Sequence, residues 1–114
     1  MFHDVTQSVM DAIEACRKIQ RYTAGQTQET CQADDMRYSA IERQFEILGE
    51  ALNRVHKANP SFQGYLPEIG RIISMRNRIS HGYDNVDDEV IWTAVEENVP
   101  ALLEKLEAWL RENG

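Results

Sequence analysis

The sequence predicts an all-α fold, an up-and-down bundle of four to five helices that forms a single domain over residues 1–114. Apolar residues recur at steps of three or four along the chain, which is the spacing of one helical face. Six glycines and three prolines are few for this length, and no segment shows the alternation of a strand. A chain of 114 residues builds one core and is too short for two.

The first two helices are predicted from an apolar face and from the residues that end or cap a helix. A helix is predicted from residue 2 to about residue 23, and Gly25 is its natural stop because glycine readily takes the left-handed conformation. Thr27 is then expected to cap a short helix that runs through Cys31 or Ala33. The apolar face of the first helix consists of Val5, Val9, Ile13, Cys16 and Ile19.

The third helix has the clearest periodicity of the chain. Its cap is Asp34 or Asp35, and it ends at Asn59–Pro60, because proline disfavours the helical conformation in the residue before it. The following residues to position 66 form a loop, in which Phe62 and Tyr65 fold back onto the bundle. The predicted core face of this helix consists of Ile41, Phe45, Leu48, Leu52 and Val55.

The fourth helix places a charge on its apolar face. Pro67 fits its first turn, and Arg76 follows the apolar positions Ile69, Ile72 and Ile73 and precedes Ile79 at the same spacing. A charge at such a position must be paired, or must face an interface or a cleft. Gly82 predicts a left-handed turn. If the helix closes near Ser80 or His81, this turn brings the imidazole back towards the arginine.

The last helix is predicted to open at Asp87, with Val86 packed against Ile91 as a hydrophobic staple. Pro100 falls within the helical pattern and predicts a kink or a division near Glu96–Val99. The predicted apolar face consists of Val90, Ala94, Val95, Val99, Leu102, Leu103, Leu106 and Leu110.

Charge and hydropathy exclude several classes of protein. The formal net charge is −7, and residues 84–114 carry nine acidic residues against Lys105 and Arg111. A globally acidic chain is a poor candidate for tight nonspecific binding to duplex nucleic acid, since phosphate contacts dominate that affinity. No signal peptide and no stretch of membrane-spanning length is found. The expectation is a cytoplasmic protein without membrane association.

Cysteine and histidine spacing predicts no metal site. Cys16 and Cys31 lie far apart without a paired motif, so both are expected to be reduced packing residues. His3 and His56 are expected to be surface residues. No cluster of carboxylates and histidines suggests a bound metal.

Residues 74–83 reverse the acidic character of the chain, since they contain no carboxylate. His81 is suited to proton exchange near neutral pH, and Arg76 presents a fixed fork of donors for a phosphate or an anionic transition state. Together they suit RNA cleavage by the neighbouring 2′-hydroxyl. The spacing alone also permits a structural interpretation, in which His81 completes a helix C-terminus, Arg78 is a surface charge and Tyr83 is a packing residue.

The order Arg76, four residues, His81, one residue, Tyr83 resembles the defining motif of HepT-type ribonuclease toxins in the HEPN superfamily. Asn77 after the arginine is also typical of these proteins. The resemblance extends over nearly the whole chain and includes four further segments. They are Ile47-Leu48-Gly49-Glu50-Ala51, Val86-Asp87, Ile91-Trp92, and Val99-Pro100 with Leu103.

The resemblance implies a homodimer in which two motifs face a shared cleft, and metal-independent endoribonuclease activity without a cofactor. Arg76 and His81 take the catalytic positions, and Asn77 supports them. Arg78 and Ser80 are placed in the supporting set without an assigned role. The implied partner is a minimal nucleotidyltransferase antitoxin of the MntA type, which transfers AMP onto Tyr83.

Two departures from the family pattern affect the expected cleft. Many relatives carry a Pro-Trp pair ahead of the motif helix, where this chain has Tyr65-Leu66-Pro67-Glu68. Ser80 also replaces a more usual apolar residue before the histidine. Neither change removes a catalytic group, but both alter the surroundings of the cleft.

The leading hypothesis is therefore a toxin ribonuclease of a toxin–antitoxin system. The alternative is a non-catalytic binding or regulatory subunit of a nucleotidyltransferase complex, which uses the same dimer but cleaves no RNA. A purely structural bundle leaves the carboxylate-free stretch unexplained.

Overall fold

The computed structural model of the protein describes residues 5–59, 69–80 and 88–113, with side chains for all of these except residue 69 and residues 76–80. The described parts contain helices and no strand, which confirms the predicted all-α class. A π-helical turn, Ala94–Asn98, separates the last two helices. In chain order the helices are α1 (Val5–Thr23), α2 (Gln28–Gln32), α3 (Asp35–Ala58), α4 (Ile69–Ser80), α5 (Asp88–Thr93) and α6 (Val99–Asn113).

Helix α3 is the centre of the bundle. It packs against α1 on one side and against α4 on another, and α6 packs on α1. Its predicted core face is confirmed, since each of the five apolar residues is at most 1% exposed: Ile41, Phe45, Leu48, Leu52 and Val55. Full burial of such a side chain stabilises the fold by roughly 1.5–3 kcal/mol before entropy costs. The face therefore supplies a large part of the apolar burial.

The predicted helix stop and helix caps between the first three helices are confirmed. Gly25 has a φ of 73°, the left-handed conformation expected just after α1. Thr27 caps α2 reciprocally with Thr30: each side-chain oxygen accepts from the other residue's backbone N–H. Asp34 caps α3 by accepting from the N–H of Arg37 at 3.1 Å.

Pro100 divides the C-terminal segment as predicted. Proline has no N–H to donate to the carbonyl four residues earlier. The chain instead makes the wider π turn over Ala94–Asn98, and the Val99 N–H donates to the Ala94 carbonyl five residues before it. The predicted break near Glu96–Val99 thus coincides with the end of the turn.

Two expectations about single residues are wrong. Val90 was placed on the apolar face, but it is 39% exposed and Ile91 is buried in its place, four residues before buried Val95. Adjacent residues lie about 100° apart around a helix, and in α5 the core lies on the side of Ile91 rather than that of Val90. The sequence predicts His56 at the surface, yet it is half-buried, and its buried Nδ1 has no hydrogen-bond partner among the described residues.

Both cysteines are free and buried, which confirms them as packing residues. Burial raises the pKa of the Cys16 thiol to about 12, and the negative charge of Glu107 adds to the effect. None of the helices in the described ranges is long and apolar enough to cross a bilayer. The predictions for Phe62, Tyr65, Pro67 and Val86-Asp87 lie outside the described residues.

Replacing the buried α4 residue Ile72 by alanine is expected to lower the free energy of unfolding by roughly 2–5 kcal/mol, because it removes apolar contact and leaves a cavity. Ser74→Ala, at an exposed position of the same helix, is the control and changes little. Urea unfolding followed by circular dichroism measures both. Equal midpoints for the two variants would show that α4 is not held by this packing.

Candidate active site

The C-terminal part of α4 carries four of the predicted site residues. Arg76, Asn77, Arg78 and Ser80 all belong to the helix Ile69–Ser80. The placement of their side chains lies outside what the structure describes. His81 and Tyr83 fall in the segment 81–87, which is also outside the described residues. Their catalytic and modification roles therefore stay predictions.

The packing of α4 on α3 fixes the position of this backbone. Ile72 is fully buried and Met75 is 3% exposed, while Ile73 is partly buried against the same core. Arg76 comes directly after Met75 and one turn after Ile72, so its Cα lies close to the line of the buried positions. Met75 was not part of the predicted apolar face, which held only isoleucines. The packing anchors the helix immediately before the arginine.

Helix α5 resumes the chain after the motif segment and is tied to α3. The Tyr38 hydroxyl donates a hydrogen bond to the Asp88 carboxylate, which stands at the first position of α5. This contact joins the first turn of α3 to the residue that follows the segment 81–87. Both flanks of the segment that holds His81 and Tyr83 are therefore attached to the same helix.

A small group of carboxylates lies around the hydrogen bond between Tyr38 and Asp88. Burial raises the pKa of the Glu42 carboxyl, and the negative charges of Glu46 and Asp88 raise it further. Tyr38, Glu42 and Glu46 recur at steps of four on one face of α3. Sequence reasoning missed this group, although the spacing signals a shared face. The sequence does not reveal that Asp88 contacts this face, because Asp88 lies 50 residues after Tyr38 in the chain.

Another cavity of the described surface lies away from the motif helix. A cavity of about 410 Å³ between α1 and α6 is lined mainly by charged side chains around Met10, Ile13 and Leu110. No described residue of α4 lines this cavity, so its size does not make it the candidate active site. The residue chemistry of α4 decides the location. Within the described ranges, no group of three His, Cys, Asp or Glu side chains is arranged to hold a metal ion.

Comparison with known proteins supports the location. The model of the family described as "Ribonuclease HepT-like" matches residues 12–109, a range that contains every predicted site residue. The chain belongs to the HepT-like ribonuclease family. No solved structure gives a significant match.

Individual relatives match over most of their length. "Probable ribonuclease HepT" of Thermococcus cleftensis is 32% identical over 99 residues, covering 85% of this chain and 87% of the relative. "Putative RNase MJ1380" of Methanocaldococcus jannaschii is 28% identical over 107 residues, covering 92% and 89%. "Putative RNase MJ0127" of the same organism is 24% identical over 109 residues, covering 96% and 89%. The similarity therefore includes the helices on both sides of the motif.

Replacing Glu42 by glutamine is expected to raise the free energy of unfolding at neutral pH. The folded pKa of Glu42 lies above its ordinary value of 4.5, so this carboxyl stabilises the fold below the unfolded pKa. That contribution is lost as pH rises through the folded pKa. The advantage of the glutamine variant should therefore shrink as pH falls towards 4.5.

Urea midpoints between pH 4.5 and 7.5 measure this effect, and Glu112→Gln, at an exposed position of α6, is the control. A Glu42→Gln protein that is less stable than wild type at neutral pH contradicts the burial and charge repulsion assigned to this carboxyl.

Proposed function

We propose that this protein is an endoribonuclease toxin of a toxin–antitoxin system. The observation that carries the proposal is the family match over residues 12–109, combined with an intact Arg76/His81 pair inside that range. Two relatives with RNase in their names and one named ribonuclease HepT extend over more than four-fifths of this chain. RNA is the substrate, and the protein acts in the cytoplasm.

Cleavage proceeds by attack of a 2′-hydroxyl on the adjacent phosphorus. The O2′–P bond forms, the P–O5′ bond breaks, and the products are a 2′,3′-cyclic phosphate and a 5′-hydroxyl. The 2′-hydroxyl loses a proton and the departing 5′ oxygen gains one, so no further reactant is needed. His81 moves a proton at one of these two oxygens, because imidazole exchanges protons near neutral pH.

Arg76 stabilises the negative charge that builds on the phosphate oxygens. Its guanidinium stays protonated at any physiological pH and offers paired donors to two oxygens. This role replaces the charge that a metal ion supplies in other nucleases, so cleavage is independent of metal. Asn77 supports the arginine, and Arg78 and Ser80 belong to the surroundings of the same site.

The active site lies at the cleft of a homodimer. Arg76 follows buried Ile72 by one turn, and a charge at the margin of an apolar face needs a counterion, water or a partner surface. A second copy of α4 across a two-fold axis supplies such a surface, with RNA between the two motifs. Each dimer then has two equivalent arginine–histidine pairs along one cleft.

The toxin is neutralised by a minimal nucleotidyltransferase antitoxin of the MntA type. The phenolic oxygen of Tyr83 attacks the α-phosphorus of ATP, pyrophosphate leaves, and the tyrosine proton is released. The product carries AMP two residues after His81. An added phosphate and nucleoside at this position block the approach of RNA through charge repulsion and bulk.

His81→Ala is expected to reduce RNA cleavage by at least about 100-fold, since general acid–base catalysis contributes that much or more. The assay follows a labelled RNA in the presence of EDTA, where wild type stays active. His3→Ala is the control for loss of a histidine outside the motif and should cleave like wild type. Undiminished cleavage by His81→Ala would contradict the catalytic role of His81. Absence of cleavage by wild type, with or without divalent metal, would favour the non-catalytic subunit.

Tyr83→Phe is expected to escape AMP transfer, because it lacks the acceptor oxygen. Incubation with the nucleotidyltransferase and ATP, followed by intact mass spectrometry, should add one or more AMP units to wild type and none to the variant. Tyr22→Phe, on α1, is the control and should be labelled like wild type. Equal labelling of the Tyr83→Phe protein would refute this acceptor.

A further inference from the structure

A second cavity adjoins the motif helix. It has a volume of about 350 Å³ and lies between the first turn of α4 and helix α5. Its described lining consists of Arg71, Glu89, Val90 and Thr93, all of them exposed. Volumes of this order are typical of small-molecule sites. The cavity therefore has room for one nucleotide of an RNA strand.

Arg71 is a cation without a salt bridge in the described part of the chain. Among the described arginines it shares this with Arg21 and Arg111, whereas the other four each have a carboxylate within 4.0 Å: Arg17, Arg37, Arg43 and Arg54. The guanidinium of Arg71 is thus available to an external anion. A phosphate suits it, because the planar fork matches two phosphate oxygens.

The opposite wall offers groups that suit a base and a ribose. Val90 is exposed apolar surface in a chain whose other valines with described side chains are buried or partly buried. It presents a flat contact for the face of a base. The Thr93 hydroxyl can donate to or accept from a ribose hydroxyl, whereas Glu89 already has an interaction within the fold. In the described lining, one cation, one apolar contact and one hydroxyl therefore border a single space.

The position of Arg71 relative to Arg76 determines which nucleotide of the RNA the cavity would bind. Arg71 lies five residues before Arg76, about 7.5 Å along the helix axis and about 140° around it. The two arginines therefore hold different phosphates, and a strand that reaches both passes across α4. Single-stranded RNA bends in this way more readily than a duplex. Weak binding to duplexes is also what the acidic overall charge of the chain predicts.

We propose that this cavity is an RNA subsite that binds a nucleotide next to the scissile one, with Arg71 on its phosphate and Val90 against its base. The proposal rests on the ribonuclease function proposed above. It makes Arg71 a substrate-binding residue and not a participant in the proton transfers. Removal of Arg71 therefore affects binding to all RNA sequences and leaves the chemical step intact.

The test compares Arg71→Gln and Arg71→Lys with Arg43→Gln, which replaces an exposed arginine of α3 outside the described lining of this cavity. Cleavage of a short single-stranded RNA gives kcat and KM, and binding is measured in the His81→Ala background at several salt concentrations. For Arg71→Gln we expect a KM roughly tenfold higher with kcat within twofold of wild type. The slope of log binding constant against log salt should fall in magnitude by about 0.7, the value for one phosphate contact on a single strand.

The control and the conservative variant separate binding from structure. Arg43→Gln should leave KM and the salt slope unchanged, and Arg71→Lys should restore most of the slope because the charge remains. If wild type cleaves RNA and Arg71→Gln behaves like Arg43→Gln, the subsite is wrong and the ribonuclease function stands. If wild type neither cleaves nor binds RNA, both proposals fall together.

Discussion

The packing of α4 on α3 is the interaction on which the rest of this structure depends. Ile72 and Met75 enter the core formed by the apolar face of α3, and this burial holds the helix that carries Arg76. The stabilising free energy comes from apolar area removed from water. It therefore needs no polar partner and is compatible with the charged residues that follow Met75 in the helix. A rigid helix anchored one turn before its arginine is a suitable base for a catalytic group.

The charges of the molecule are divided between two regions. Carboxylates dominate α5 and α6 and the Glu42 group on α3, whereas residues 74–83 contain none. An anionic substrate therefore meets repulsion over much of the surface, and attraction at the motif and at Arg71 on the same helix. This division explains how an acidic chain acts on RNA. Asp88, which accepts the hydrogen bond from Tyr38, belongs to the acidic part of the chain that follows the motif.

Periodicity and turn chemistry predicted most of the fold, for local reasons. The face of α3, the caps at Thr27 and Asp34, and the break at Pro100 depend on neighbours within a few residues. The failures involve distant partners. Val90 and Ile91 are equally apolar, and only packing selects between them. The Tyr38–Asp88 hydrogen bond joins residues 50 positions apart, and no local pattern signals it. The candidate site was predicted from residue chemistry and resemblance, because arginine and histidine have the required properties wherever the fold brings them together.

The chemistry of the cut ends tests the central claim most directly. If Arg76 and His81 promote attack by the neighbouring 2′-hydroxyl, mass spectrometry of RNA fragments should find 2′,3′-cyclic phosphates and 5′-hydroxyls. An RNA with a single 2′-deoxy nucleotide at the cleavage position should then stay intact at that bond. Fragments with 3′-hydroxyl and 5′-phosphate ends, or cleavage at the 2′-deoxy position, would contradict the account.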